Sequence, residues 1–194
     1  MKYRALATAL AALAVTGCSV IEDAHAQGET TKLNMQEVAD RAEQILDDTL
    51  KAVRPGVEAG RGPSSDSACT DVKNDGTGTG TVTRRRYVTT IVSAARRGNF
   101  LGVVERSWKT AGYEITGVRE SKERPAVFAS TTEDFRVSLE FGYKGQAFFT
   151  VTSPCVTQSK VTEAPREPVD PDSPVGKGLP YVHSGFWSAA TPAS

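Results

Sequence analysis

Histidine is nearly missing from this chain. There are two in 194 residues, His25 near the front and His183 near the end. Neither lies in a segment with the periodicity of a helix or strand, so a Ser-His-Asp or Cys-His site would need one of them to dock onto the fold from outside. A histidine-based zinc site would need the same docking, which makes it an unfavoured reading. Strong charge of one sign is also missing, because 23 basic residues balance 23 acidic ones. That leaves no long-range field of the kind that draws a protein to nucleic acid. No apolar run reaches the ~20 residues that a membrane-spanning helix needs. Cysteine is scarce, at three residues, and aromatic residues make up 7%.

The longest apolar run sits at the front. Lys2 and Arg4 precede Ala5 to Val15, and no acidic residue occurs before Glu22. A short positive stretch followed by about a dozen small apolar residues has the layout of a signal peptide, whose apolar region runs ~7–15 residues. The run ends in Val15-Thr16-Gly17-Cys18. These four residues resemble a bacterial lipobox: an aliphatic residue, a small residue, Gly or Ala, then Cys. The resemblance implies that Cys18 receives a diacylglyceryl group and becomes the mature N-terminus after cleavage. Two acyl chains meet the two-signal requirement for stable anchoring. The implied location is the extracytoplasmic face of a cell membrane. A rival reading is general secretion. Ala24-His25-Ala26 is an A-x-A pattern, after which a signal peptidase could cut, although Glu22 and Asp23 put two charges between the apolar run and that site.

Removing residues 1–17 takes Lys2 and Arg4 away and leaves 21 basic against 23 acidic residues. Once Cys18 is given to lipid, Cys69 and Cys155 remain. An even count in an exported chain reads as a disulfide, although two free thiols or a metal pair are the alternatives. Such a bridge would close a loop worth roughly 4.5 kcal/mol in the chain-entropy model. The composition and the Trp108-x₄-Tyr113 element also resemble small lipoproteins of high-GC Gram-positive bacteria, a resemblance that implies no activity. Ser19 after the cysteine would equally suit outer-membrane sorting in a Gram-negative host.

Ser19 to Lys32 is polar and aperiodic, as expected of a tether. A helix then starts at a capping-box-like Asn34-x-x-Glu37. Met35, Val38, Ala42, Ile45, Leu46, Thr49 and Val53 mark one side of it, and Pro55-Gly56 ends it. Gly60 to Ser67 reads as loop, Cys69 to Val72 as a short strand and Thr79 to Val92 as a longer one. A second helix is expected over Ala95 to Ala111, with Gly112 as its stop. Tyr113–Arg119, Ala126–Ser130, Phe135–Phe141 and Gln146–Thr152 read as strands of a meander. The expected fold class is α+β: an antiparallel sheet, a β-meander in its C-terminal half, with two helices on one face. The domain is expected over 33–157. Residues 158–194 are Pro-rich and charged, which predicts disorder. Tyr181, Phe186 and Trp187 stand out there, either packing on the domain or offering a motif to a partner.

Two tempting motifs fail. Gly76-Thr77-Gly78-Thr79-Gly80 lacks the Lys and the following helix of a phosphate loop. Asp71 to Gly76 imitates the start of a calcium loop, but Lys73 sits at a ligand position and Val82 where the bidentate Glu belongs. No metal or cofactor is expected. The remaining candidates are arginines. Arg84 and Arg86 alternate onto one face of a strand and Arg85 onto the other. Arg96 and Arg97 sit near the start of the second helix, where positive charge is mildly unfavourable. Together Arg84, Arg86, Arg96 and Arg97 form a candidate site for an anionic lipid or envelope polymer. A non-catalytic binding module is therefore the expectation, with a cell-wall hydrolase using the turn carboxylates Glu120, Glu123, Glu133 and Asp134 as its rival. A third possibility is a structural envelope component recruited through the aromatic tail.

Overall fold

The computed structural model describes residues 33–163 and 170–191. The lipobox, Cys18, the tether and the alternative cut after Ala26 lie outside the described residues. The first helix, α1 (Met35–Ala52), begins as its cap requires. Asn34 Oδ1 accepts from the backbone N–H of Gln36 at 2.9 Å and of Glu37 at 3.1 Å, and Glu37 Oε2 accepts from Asn34 N–H at 2.7 Å. This satisfies N–H groups that a helix start otherwise leaves orphaned. Its buried side is Met35, Val38, Ala39, Ala42, Ile45, Leu46 and Thr49.

Three strands follow: β1 (Ala59–Arg61), β2 (Ser65–Thr70) and the long β3 (Gly76–Val88). After α2 (Arg97–Thr110) come β4 (Glu114–Arg119), β5 (Ala126–Ser130), β6 (Arg136–Phe141), β7 (Ala147–Thr152) and β8 (Val156–Thr157). They form one open antiparallel sheet in the order β1-β3-β7-β6-β5-β4, with β2 and β8 also pairing with β3. The fold is α+β. Gly112 stops α2 at φ +82°, a conformation glycine adopts without penalty.

The GRGPSSDS stretch is not all loop. Gly60 and Arg61 lie in β1, and Ser65 to Ser67 open β2. These are polar edge strands, held by backbone pairing to β3 and not by an apolar face, so hydrophobic alternation does not reveal them.

Alternation sets the core. Val82 and Val88 on β3, Ala147, Phe149 and Val151 on β7, Val137, Leu139 and Phe141 on β6, and Val127 and Ala129 on β5 are all buried on one side. Both helices cover that side. Phe100 of α2 meets Phe141 and Phe149 at ring-centroid distances of 6.0 and 6.1 Å. Trp108 Nε1 donates to Thr49 Oγ1 at 3.0 Å, tying α2 to α1 inside the core.

Beyond residue 157 the described chain is packed, contrary to the disorder expected from composition. Thr162 N–H donates to Gln36 Oε1 at 2.8 Å. Val182 bridges to Thr90, and Ser188 Oγ donates to Ile91 O at 2.7 Å. Trp187 is fully buried against Phe100 at 5.0 Å, edge to face, and its Nε1 donates to Pro55 O at 2.7 Å. The domain therefore takes in this tail strap as well as residues 33–157. The reason is one large aromatic residue, whose burial outweighs the polar composition around it.

Cys69 and Cys155 are joined, linking β2 to the segment just before β8 across 86 positions. Replacing both by serine should lower stability by about 2–5 kcal/mol. Chemical denaturation of the double variant beside the parent measures it, and an unchanged midpoint would contradict a structural role for the bridge.

Candidate ligand-binding face

The arginine triplet of β3 divides as alternation requires, but with a consequence that the sequence reading reversed. Arg84 and Arg86 point inward, beneath α1, with side chains 4% and 6% exposed. Both meet Glu43 of α1. Arg84 Nε stands 3.5 Å from Glu43 Oε1, and Arg86 Nη2 donates to Glu43 Oε2. Arg86 also donates to Asp47 Oδ1 at 3.1 Å, and Arg61 Nε lies 3.6 Å from Glu43 Oε2. This is an internal ion cluster, so Arg84 and Arg86 are not presented to a ligand.

Arg96 and Arg97 are likewise employed in packing. Arg96 is buried with its guanidinium 4.5 Å from the centre of the Phe186 ring, where it helps to hold the tail. Arg97 lies over Phe141 at 5.4 Å and donates to Glu123 O at 2.9 Å. The four arginines do not form one surface.

The sheet face away from the helices is the surface left open. Register places three cross-strand rows on it. The first runs Thr83, Thr152, Arg136, Ser130 and Glu114. The second runs Arg85, Thr150, Ser138, Phe128 and Gly117, and the third Tyr87, Phe148, Glu140, Ala126 and Arg119. The centre of the middle row is small, so the face is hollowed there. One depression of about 340 Å³ is lined by Arg136, Thr152, Thr150, Ser138, Phe128 and Gly117 among others. A second, also about 340 Å³, has Arg85, Arg119, Arg124, Tyr143 and Phe148 in its wall. The two share Thr150, so they lie side by side.

Electrostatically this face is basic. Arg119 pairs with Glu140 at 3.2 Å. Arg85 donates to Thr150 Oγ1 at 3.3 Å, Arg124 stacks over Tyr143 at 4.2 Å, and neither has a carboxylate partner among the described residues. The Arg136 side chain is exposed and makes no hydrogen bond or ion pair among the described residues. Tyr87 lies over Gly60 of β1, and on the β4 side the Phe128 ring has Gly117 as its cross-strand neighbour and the Arg119 guanidinium 5.9 Å from its centre. Sequence reasoning missed this surface although the signal was there. Val82 and Val88 share the parity of Arg84 and Arg86, which marks that side as core and the Arg85 side as open.

The turn carboxylates are not brought together. Glu120 and Glu123 lie in the β4–β5 turn, and Glu133 and Asp134 in the β5–β6 turn. The five residues of β5 separate the two turns by about 17 Å at ~3.4 Å per residue. Glu133 is held by Arg41, which donates to it at 2.9 and 2.7 Å. That hydrogen bond raises the Arg41 pKa, and burial of the neighbouring Tyr113 phenol pushes its pKa up as well. Among the described residues no three His, Cys, Asp or Glu side chains gather as a metal site would need. No described helix is long and apolar enough to cross a membrane. The Asp71 turn is a local one, with Asp71 Oδ1 accepting from Lys73 N–H and Asp75 N–H, and Gly76 to Gly80 run into β3.

No family model matches this chain, and no curated protein matches it. One solved structure similar to it is that of a DUF4853 family protein from Actinomyces odontolyticus ATCC 17982. It has 11% sequence identity over 80% of each chain and a TM-score of 0.43. A likeness at that level establishes neither a shared fold nor a shared function.

Proposed function

We propose that this chain is a lipid-anchored extracytoplasmic lipoprotein whose domain is a non-catalytic binding module, holding an anionic envelope ligand on the open face of its sheet. The observation that carries the binding half is the set of unpaired guanidinium groups on that face. Arg85, Arg124 and Arg136 have no carboxylate partner among the described residues, and each stands in or beside a depression walled by aromatic side chains. Guanidinium forks recognise carboxylate and phosphate oxygens in a bidentate manner. The anchoring half is supported by the lipobox; the cysteine count fits it and the cut after Ala26 equally, since either leaves the pair joined in the disulfide.

Mass spectrometry of the mature N-terminus tests the anchor. A diacylglyceryl-modified Cys18 is expected, and an unmodified start at Gln27 would contradict it. Binding is tested in two arms, anionic against zwitterionic vesicles and an acidic polymer in solution. In whichever arm binds, Arg85→Ala with Arg136→Ala is expected to weaken affinity at least tenfold. Rising salt should weaken it too. Unchanged affinity in a variant with unaltered thermal unfolding would sink the proposed face.

A further inference from the structure

The two depressions adjoin at Thr150 and make one trough, whose length limits what can lie in it. Their combined lining reaches from Arg136 on β6 to Tyr143 in the β6–β7 turn, and Gly117 and Phe128 extend it sideways onto β4 and β5. The five extended steps from Arg136 to Phe141 span about 17 Å at ~3.3 Å per residue, and Tyr143 stands in the turn just beyond. Cations are spread along this length: Arg136 at one end, Arg85 beside the middle, and Arg124 stacked on Tyr143 at the other; the wall also holds the Glu140 carboxylate, which Arg119 neutralises at 3.2 Å. A single headgroup or a free phosphate would meet one of them. An extended chain with an acid group on repeating units would meet all three. A flat bilayer does not enter a hollow in a sheet face, whereas a polymer strand does.

The rest of the lining discriminates among polyanions. Ser138, Thr150 and Thr152 line the trough with hydroxyls; Ser138 Oγ donates to Glu140 Oε1 at 3.4 Å, Thr150 Oγ1 accepts from Arg85 Nε at 3.3 Å and Thr152 Oγ1 pairs with Thr83 Oγ1 at 3.1 Å, and each hydroxyl keeps capacity for a further bond. Phe128 and Phe148 add part-buried rings beside them, the Phe128 ring carrying the Arg119 guanidinium 5.9 Å from its centre. Sugar rings present hydroxyls at their edges and C–H groups on their faces, so they use both features. Polyphosphate has neither and would leave both unused.

Resting on the open-face reading above, we infer that the ligand is an acidic polysaccharide, carboxylated on its sugar units, lying lengthwise in the trough along β6 and β7. Titration calorimetry of the purified full chain tests this with oligogalacturonates of increasing length, their methyl-esterified counterparts and polyphosphate. Affinity for oligogalacturonate should rise with length and level off once the trough is filled, and methyl-esterification should abolish binding. Phe128→Ala should weaken binding at least tenfold. Ser138→Glu, which places a negative charge on the trough floor and leaves the apolar core alone, should do the same if Phe128→Ala fails to fold. Polyphosphate binding as tightly as oligogalacturonate, with Ser138→Glu weakening both, would overturn the sugar assignment and leave the anion reading standing. Binding without length dependence would overturn the extended polymer. Failure of every anion to bind would overturn both readings.

Discussion

Trp187→Ala should destabilise the domain by about 3–5 kcal/mol, the range for removing a buried aromatic side chain. The indole is fully buried although only seven residues follow it in the sequence. Its ring meets Phe100 and Phe186, and its Nε1 donates to Pro55 O. Removing it leaves a cavity beside Phe100 and an acceptor without its donor. It also frees the strap, because the bonds from Ser93 Oγ to Ala189 O and from Ser93 N–H to Trp187 O depend on that seat. For a domain of this size the loss corresponds to a fall in Tm of about 10–15 °C. Trp187→Phe keeps a ring in the socket and loses the hydrogen bond, so it should cost less. Thermal unfolding by circular dichroism reads both. If Trp187→Ala unfolds within a degree or two of the parent, the tail is not part of the core.

Glu43→Ala should cost a similar amount, about 3–5 kcal/mol, for a different reason. Glu43 lies among Arg61, Arg84 and Arg86, and the last two are nearly inaccessible to water. Without it, two buried guanidinium groups keep their charge and lose their main counter-ion. Asp47 is a lesser partner, with a side chain half-exposed at 50%, so Asp47→Asn should stay within about 1 kcal/mol. Replacing Glu43, Arg84 and Arg86 together by leucine or methionine should recover most of the loss, since a buried ion cluster is seldom more stable than a well-packed apolar one. Urea denaturation of the three variants checks this order. A triple variant as unstable as Glu43→Ala would mean that packing, and not charge, accounts for the cost.

Much of this fold was legible in the sequence, for local reasons. The Asn34–Glu37 box starts α1, the alternation from Phe135 to Phe141 marks β6, and Gly112 stops α2. Each signal lies within a few residues. What the sequence reading lost depends on long-range placement. Composition around Trp187 is polar and Pro-rich, so no window of residues marks the indole as core; its partner Phe100 is 87 positions away. The arginine triplet shows a subtler loss. Alternation puts Arg84 and Arg86 together, but three consecutive arginines suggest a solvated strand. That they face inward follows only when Val82 and Val88 are read in phase with them and Glu43 and Asp47 are seen one turn apart on α1. The proposed binding surface therefore centres on Arg85, the residue between them.

The most direct measurement is a nuclear magnetic resonance titration of the labelled protein with an oligogalacturonate, following backbone amide shifts. Perturbations are expected to gather on the open face, at Arg85, Phe128, Arg136, Ser138 and Thr150, and to leave the α1–β3 ion cluster undisturbed. Perturbations centred on Arg96, Arg97 and the tail strap, with the open face silent, would contradict the account.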